Sequence, residues 1–269
     1  MRHAFARQIT FLTAQIGWLL LSEGAALGSE GVEVLHTSDG GAIWRTVTRT
    51  SPTTPSLPGY LPFGGGKLGI SFIDPTTGWI PLTDVGLYQT RDGGATWYPQ
   101  PLPLPGTLPP ATQADLASTG PLFTFNGREG ILPVNLGLSG GRVIPEVYRT
   151  HNGGHTWQAT AALPAWLDTI SFLNPQTGWT AGVQNDTLFL YSTADGGHIW
   201  KPFTQALPPG VTRITELHFV TQLTGWMIGE TNEGQSTLLL RTTDGGQTWR
   251  EVQPLLEVVA RSPEGTAET

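Results

Sequence analysis

The chain of 269 residues contains 35 Gly, 22 Pro and no Cys, and only 13% of its residues are charged. Ordinary globular domains carry about 25% charged residues, and disordered chains combine high charge with few aromatic residues, so the composition predicts a folded, turn-rich protein. A formal net charge of −7 argues against a nucleic-acid partner, because phosphate binding requires a basic surface. The absence of Cys excludes disulfides, thiolate zinc sites and cysteine nucleophiles.

Two motifs repeat along the chain. A Phe-x5-Gly-Trp motif occupies residues 11–18, 72–79, 172–179 and 219–226, and a shortened relative at 125–131 ends in Ile. Each copy precedes an octapeptide of the form Thr-x-Asp/Asn-Gly-Gly-x-x-Trp. The third and last residues of the five octapeptides are Asp39 and Trp44, Asp92 and Trp97, Asn152 and Trp157, Asp195 and Trp200, and Asp244 and Trp249. Trp166 alone among the tryptophans lies outside both motifs.

The repeats predict an all-β protein. Within the fourth repeat, short β-rich runs at 169–173, 178–183 and 187–192 precede the octapeptide, and a fourth strand begins near Trp200. Four antiparallel strands in a repeat of about 40 to 60 residues are typical of a β-propeller blade. The sequence therefore predicts a single β-propeller domain with five recognisable repeats, at about 9–49, 67–100, 121–160, 167–204 and 212–252.

The two ends of the chain leave alternatives open. Residues 1–27 resemble a signal peptide, with Arg2 and Arg7 before an apolar run, but the Phe-x5-Gly-Trp register favours strands of the first repeat. Residues 253–269 form a strand that closes the ring, the start of a partial sixth repeat, or a disordered tail. No run of about 20 apolar residues predicts a membrane span.

The octapeptides are predicted to be structural hairpin turns. The two glycines supply the positive φ angles that a tight turn needs, and an Asp or Asn before them can accept hydrogen bonds from the backbone of the turn. The alternative is a metal or acid–base role. Equivalent positions in five blades lie far apart, each turn offers one carboxylate, and Asn152 replaces the acid in one copy. We therefore expect no catalytic residue, cofactor or metal site.

The octapeptides resemble the Asp-box of sialidases and of propellers built from bacterial neuraminidase repeats. Their combination with Phe-x5-Gly-Trp is similar to the photosystem II stability/assembly-factor family, over about residues 9–252. This resemblance implies a β-propeller whose Asp-boxes are turns at the outer edge, a protein-binding surface and an extracytoplasmic location. In the photosynthetic members it also implies an arginine-rich patch, and no Arg cluster of this sequence corresponds to one.

The leading hypothesis is a non-enzymatic propeller that acts as a protein-interaction or assembly scaffold, with a protein partner and no cofactor. The alternative is a glycan-binding or sialidase-like glycoside-hydrolase propeller, which requires two carboxylates about 5 to 10 Å apart in one cleft. A third hypothesis is a fragment whose missing blades lie outside this chain. Three Pro-rich segments, at 50–66, 99–121 and 163–168, are either surface connections or docking loops. Trp166 is a possible partner contact or a filler between blades.

Overall fold

The computed structural model describes residues 4–26, 28–109, 114–119, 122–139, 141–163, 169–184, 187–203, 211–231 and 236–252. These residues form five separate antiparallel sheets, each a propeller blade, and include no helix. The protein is thus a five-bladed β-propeller, which confirms the predicted fold class. In these ranges no helix is long and apolar enough to cross a membrane.

Four of the blades contain four strands in simple up-and-down order. Blade 1 contains β1 (Phe5–Phe11), β2 (Gly17–Ala26), β3 (Ser29–Thr37) and β4 (Arg45–Arg49). Blade 2 contains β5 (Ser71–Phe72), β6 (Gly78–Leu82), β7 (Gly86–Thr90) and β8 (Tyr98–Gln100). The apolar run near the N-terminus therefore belongs to β2 of the first blade.

Blade 3 differs from the others in its first position. Its strands are β9 (Ala114–Thr119), β10 (Phe123–Phe125), β11 (Glu129–Leu138), β12 (Val143–Thr150) and β13 (Gln158–Ala162). Both β9 and β10 pair with β11, so two short strands occupy the place that one strand holds elsewhere.

Blades 4 and 5 return to the four-stranded pattern. Blade 4 contains β14 (Thr169–Phe172), β15 (Gly178–Gln184), β16 (Thr187–Thr193) and β17 (Lys201–Pro202). Blade 5 contains β18 (Val211–Phe219), β19 (Gly225–Thr231), β20 (Ser236–Thr242) and β21 (Arg250–Glu251). The strands of blade 4 coincide closely with the runs predicted from its sequence.

The Phe-x5-Gly-Trp motif is the hairpin between the first two strands of a blade. In blade 2, Phe72 pairs with Gly78 across the ladder, and the phenyl ring lies over the glycine. A Cβ atom on Gly78 would lie 2.6 Å from Phe72 Cδ1, closer than real Cβ contacts. Gly17, Gly178 and Gly225 each meet the phenylalanine of their own motif in the same way. The motif therefore requires glycine for space rather than for an unusual backbone angle.

The apolar cores lie between consecutive blades. One cluster joins blades 1 and 2, where Trp18 and Phe72 are buried and their rings stack with centroids 3.6 Å apart. Three further clusters lie at the joints between blades 2 and 3, 3 and 4, and 4 and 5. Trp179 and Phe219 repeat the stack at the last of these, with centroids 3.7 Å apart. Each blade thus buries its apolar surface against its neighbours.

Hydrogen bonds to the next octapeptide turn also link each of the first four blades to its successor. Trp18 Nε1 donates to the Gly93 carbonyl at 2.9 Å, and Trp179 Nε1 donates to the Gly245 carbonyl at 3.0 Å. Blade 3 has Ile131 in place of the tryptophan, and Arg149 NH1 donates instead to the Asp195 carbonyl at 3.3 Å. In blade 2, Gln89 and Gln100 both donate to the Gly154 carbonyl. Different donors therefore make the same kind of joint.

Candidate functional site

Each Asp-box turn is closed by hydrogen bonds of its own side chains. In blade 5, Thr242 Oγ1 donates to Asp244 Oδ1 at 2.8 Å and accepts from the Gly246 N–H at 2.9 Å. Asp244 Oδ1 also accepts from the Thr248 N–H at 2.9 Å. The same set of bonds recurs in the other four turns, and in blade 3 the amide oxygen of Asn152 accepts in place of a carboxylate.

These hydrogen bonds lower the pKa of the Asp-box carboxyl groups. The Thr248 hydroxyl and N–H hold the pKa of Asp244 at about 2. The pKa values of Asp39, Asp92 and Asp195 also lie below their ordinary value, because hydrogen bonds within each turn outweigh the effect of burial. A general acid at neutral pH needs a raised pKa, so these carboxylates are poorly suited to acid catalysis.

The predicted Asp-box residues lie on five different sheets and do not converge on one site. Each turn connects the last two strands of its blade, for example β7 and β8 in blade 2. The tryptophans that end the boxes of blades 2 and 5 fold back onto their turns: Trp97 Nε1 donates to the Gly94 carbonyl at 2.9 Å, and Trp249 Nε1 donates to the Gly246 carbonyl at 3.1 Å. Within the described part of the chain, no three His, Asp or Glu side chains come together as a possible metal site. Trp166 falls outside the described residues.

Asp244→Ala is expected to lower the free energy of unfolding by about 1 to 2 kcal/mol, because three donors of the turn lose their acceptor. Asp244→Asn should cost less, since Asn152 makes the corresponding bonds in blade 3. The pKa of Asp244 is depressed, so its contribution is present above about pH 4 and is lost as the pH falls toward 2. Urea unfolding at pH 7 and pH 3 measures both effects; equal stabilities of Asp244→Ala and wild type at pH 7 would contradict the expectation.

A groove of about 320 Å³ lies between blades 2 and 3. Its walls come from the start of β7, the end of β8 and the Pro-rich segment after β8, and from β11 and β12 of blade 3. The lining residues are Val85, Gly86, Leu87, Pro99, Gln100, Pro101, Leu102, Leu104, Leu136 and Tyr148. No Asp, Glu or His is among the described residues that line it. The groove can bind an apolar side chain, and its wall offers no acid–base pair.

Tyr148 holds the Pro-rich wall of the groove in place. Its side chain is buried, and its hydroxyl donates to the Pro103 carbonyl at 2.7 Å. Burial, together with the nearby carboxylate of Glu146, raises the pKa of Tyr148. The hydroxyl therefore stays protonated at neutral pH and keeps its role as a donor.

A buried ionic cluster joins blade 1 to the segment that leads into blade 2. Glu30 and Lys67 are both fully buried. Glu30 Oε1 accepts from Ser22 Oγ at 2.6 Å and pairs with Arg7 NH2 at 3.0 Å, while Oε2 accepts from the Lys67 N–H at 2.6 Å. Lys67 Nζ donates to the backbone carbonyls of Glu30, Phe63 and Gly65 at 2.8, 3.0 and 2.9 Å.

The two charges of this cluster respond differently to burial. Desolvation lowers the pKa of Lys67 to about 8, although the charge of Glu30 opposes the shift. For Glu30, desolvation raises the pKa, but hydrogen bonds from Ser22, the Lys67 backbone and Arg7 bring it below its ordinary value. The ammonium is enclosed by backbone carbonyls rather than facing a cavity. We therefore assign the cluster to the joint between the blades.

Comparisons with known proteins agree with the fold. Residues 161–264 match the family model described as photosynthesis system II assembly factor YCF48. The photosystem II stability/assembly factor HCF136 of Arabidopsis thaliana is 25% identical over 150 residues, which are 54% of this chain and 34% of that protein. The chain is a β-propeller with Asp-box turns, and over part of its length it is similar to photosystem II assembly factors. It spans about a third of the length of the curated relative that it matches.

Two solved structures share the fold of this repeat propeller. The xyloglucanase of glycoside hydrolase family 74 from Xanthomonas campestris aligns with a TM-score of 0.54 and 14% identity, over 88% of this chain and 36% of its own. The Hadza microbial sialidase Hz136 aligns with a TM-score of 0.52 and 15% identity, over 87% of this chain and 55% of its own. At these identities the likeness concerns the fold alone.

Two features of the propeller had little or no signal in the sequence. Lys67 follows a run of glycines and has no charged neighbour in the sequence, so nothing there indicates burial beside Glu30. Arg149 stands just before an octapeptide, at a position that Gln89 and Arg241 occupy in other blades. The polar character of that position could have indicated a shared contact with the next blade.

Proposed function

We propose that this chain is a non-enzymatic propeller that binds a segment of a partner protein in the groove between blades 2 and 3. The observation that carries the proposal is the character of that groove: Val and Leu side chains and two prolines line it together with Gln100 and Tyr148, and its described residues include no acidic or histidine group. Binding pockets of this kind accept an apolar anchor residue, which the surrounding loops hold in place.

The resemblance to assembly factors supports a protein as the ligand. HCF136 is named as a stability/assembly factor, and the matched family model is that of an assembly factor. The net charge of −7 favours a partner segment with basic residues beside its apolar anchor. The Asp-boxes are consistent with this assignment, since their carboxylates accept hydrogen bonds from the threonine hydroxyls of their own turns. We propose that these boxes serve the architecture of the blades.

A glycan-binding or hydrolytic propeller is the alternative, because a xyloglucanase and a sialidase share the fold. Hydrolysis of a glycoside needs two carboxylates about 5 to 10 Å apart in one cleft. The groove lining offers none, and the Asp-box carboxylates are divided among separate blades. These observations favour protein binding over glycan hydrolysis.

Leu104→Asp is expected to weaken the binding of an apolar peptide by roughly tenfold or more, because a buried carboxylate would replace a groove contact. The peptide is obtained by selecting a displayed library of random peptides on the wild-type protein, and its affinity is measured by isothermal titration calorimetry. Leu223→Asp is the matched control: Leu223 is 60% exposed in blade 5, away from the groove, and its replacement should leave the affinity unchanged.

The same proteins are tested for release of sugar from xyloglucan and from sialosides. Turnover of either substrate by the wild-type protein, or equal peptide affinities for Leu104→Asp and Leu223→Asp, would overturn the proposal. Thermal melting of both variants confirms that each one is folded.

A further inference from the structure

The two end blades expose apolar positions that the inner blades bury. The phenylalanine that opens the Phe-x5-Gly-Trp motif is 1%, 7% and 3% exposed as Phe72, Phe172 and Phe219, whereas Phe11 of blade 1 is 42% exposed. Ile9, on the same strand and the same face of the sheet as Phe11, is 56% exposed. Blade 1 therefore has an apolar face that no described residue covers.

Blade 5 shows the complementary exposure. The residue three positions before each octapeptide threonine is buried in the first four blades, as Val34, Leu87, Val147 and Leu190. Its counterpart in blade 5, Leu239, is only half-buried. The second glycine of the Asp-box is buried in blades 2 to 5 but half-buried in blade 1, as Gly41. At the joints between blades 1 and 2 and between blades 3 and 4 these two positions touch, since a Cβ on Gly94 would lie 3.7 Å from Val34 Cγ1 and one on Gly197 would lie 3.6 Å from Val147 Cβ.

Trp226 of blade 5 lacks the contacts that Trp18 and Trp179 make with the following blade, whereas Trp79 of blade 2 donates to Gln100 Oε1 instead. Trp18 and Trp179 stack on the phenylalanine of the following blade and donate to the first glycine carbonyl of its turn. Trp226 is half-buried and lies under the guanidinium of Arg241, 5.5 Å from its ring centroid. Among the described residues, its indole N–H has no hydrogen-bond acceptor and its ring stacks on no phenylalanine.

We propose that blade 5 of one copy of this chain binds blade 1 of a second copy, through the same contacts that join consecutive blades within the chain. Trp226 stacks on Phe11 of the second copy and donates to its Gly40 carbonyl. The joint between blades 3 and 4 supplies the model for these positions: Arg149 NH1 donates to the Asp195 backbone carbonyl at 3.3 Å, and the charge of Asp195 also favours the protonated guanidinium. Arg241 occupies the position of Arg149, and Asp39 the position of Asp195.

The contact is heterologous, since two different faces meet. Within one chain the exposed faces of blades 1 and 5 do not cover each other, because no ring contact or hydrogen bond between described residues links the two blades. A partner that binds the exposed face of blade 5 must present an Asp-box turn, an aromatic ring on which Trp226 stacks, and an acidic residue beside Arg241. Blade 1 of a second copy presents all three, in Gly40, Phe11 and Asp39.

Cross-linking tests the proposal directly, because the native chain contains no Cys. One preparation carries Leu239→Cys and the other carries Ala42→Cys, beside Gly41. A short bis-maleimide reagent should yield a covalent heterodimer from the mixture and no dimer from either preparation alone. The matched control replaces Ala42→Cys with Ala95→Cys, at the same Asp-box position of blade 2, which blade 1 already faces; this mixture should give no product.

A chain that carries both Leu239→Cys and Ala42→Cys distinguishes binding of a second copy from closure of the ring within one chain. Covalent dimers and longer products support the proposal, whereas a cross-link confined to the monomer shows that the ring closes on itself and overturns it. Sedimentation equilibrium of the wild-type protein should show a mass above that of the monomer. Phe11→Glu should weaken this association by roughly tenfold or more, while Leu57→Glu, at a 63% exposed site outside both faces, should not. A wild-type monomer at every concentration, with no cross-link, also overturns the proposal.

Discussion

Glu30→Gln is expected to lower the free energy of unfolding by about 3 to 5 kcal/mol, because breaking a buried charge pair leaves the other charge uncompensated. Glu30 is fully buried and accepts from Arg7, Ser22 and the Lys67 N–H. The amide of Gln presents donors where the carboxylate presents only acceptors, so at least one of these three donors loses its partner. The ammonium of Lys67 also loses the negative charge that raises its pKa.

Glu33→Gln provides the matched control for this prediction. Glu33 lies on the same strand and pairs with Arg49 at 3.0 Å, but Arg49 is 47% exposed. An exposed pair of this kind contributes about 0 to 1 kcal/mol, so Glu33→Gln should change the stability by less than about 1 kcal/mol. Urea unfolding of the two variants at pH 7 makes the comparison. Similar losses for both would show that burial of Glu30 does not decide its contribution.

The pH dependence of the free energy of unfolding tests the contribution of Lys67 to the buried cluster. The pKa of Lys67 is about 8 in the folded protein and lies near its ordinary value of 10.5 once the chain unfolds. Between these values the unfolded chain holds a proton that the folded protein has released, so this group makes the stability rise with pH from about 8 to 10.5. Lys67→Met removes that rise, and it leaves three buried carbonyls without their donor. Unfolding measured across this pH range in both proteins isolates the contribution of Lys67.

Gly154→Ala is expected to destabilise the protein by about 3 kcal/mol or more, through two effects that add. Gly154 has φ of +76°, a conformation that L-residues adopt at a cost, and a Cβ there would overlap the Trp79 ring of blade 2. Trp79 is fully buried, so it has little room to move. Overpacking of a dense core typically costs about 1 to 3 kcal/mol beyond the backbone strain.

Gly28→Ala separates the two effects. Gly28 has nearly the same φ, +75°, but a Cβ on it would meet nothing within 4 Å. This variant should therefore lose only the backbone contribution, about 1 kcal/mol. Thermal and urea unfolding of both variants measure the difference, which is the cost of the steric overlap with the Trp79 ring. A loss for Gly154→Ala no larger than that for Gly28→Ala would show that Trp79 repacks freely.

The placement of the Asp-boxes followed from the sequence because their chemistry is local. Thr242 and Asp244 bond with each other, with Gly246 and with Thr248, all within eight residues, so spacing alone predicts the turn. The Phe-x5-Gly-Trp hairpin is similarly local, because Phe72 covers the glycine that it faces across a short ladder. Repetition of both motifs predicted the blades and the propeller.

The contacts between blades could not be predicted in this way. Gln89, Arg149 and Trp179 are different residue types, yet each donates to the octapeptide turn of the following blade. The groove combines the Pro-rich segment after β8 with Leu136 and Tyr148 of the next blade. Glu30 and Lys67 lie 37 positions apart in the chain. No local pattern joins such partners.

The sequence by itself determined the strands, the hairpin turns and the all-β fold of this protein, since short-range hydrogen bonds and alternating burial leave a visible periodicity. Only the tertiary structure decided which side chains meet at the joints, where the groove lies and which faces stay open. The reason is physical: these features depend on the distance between blades, and that distance is set by how whole sheets pack.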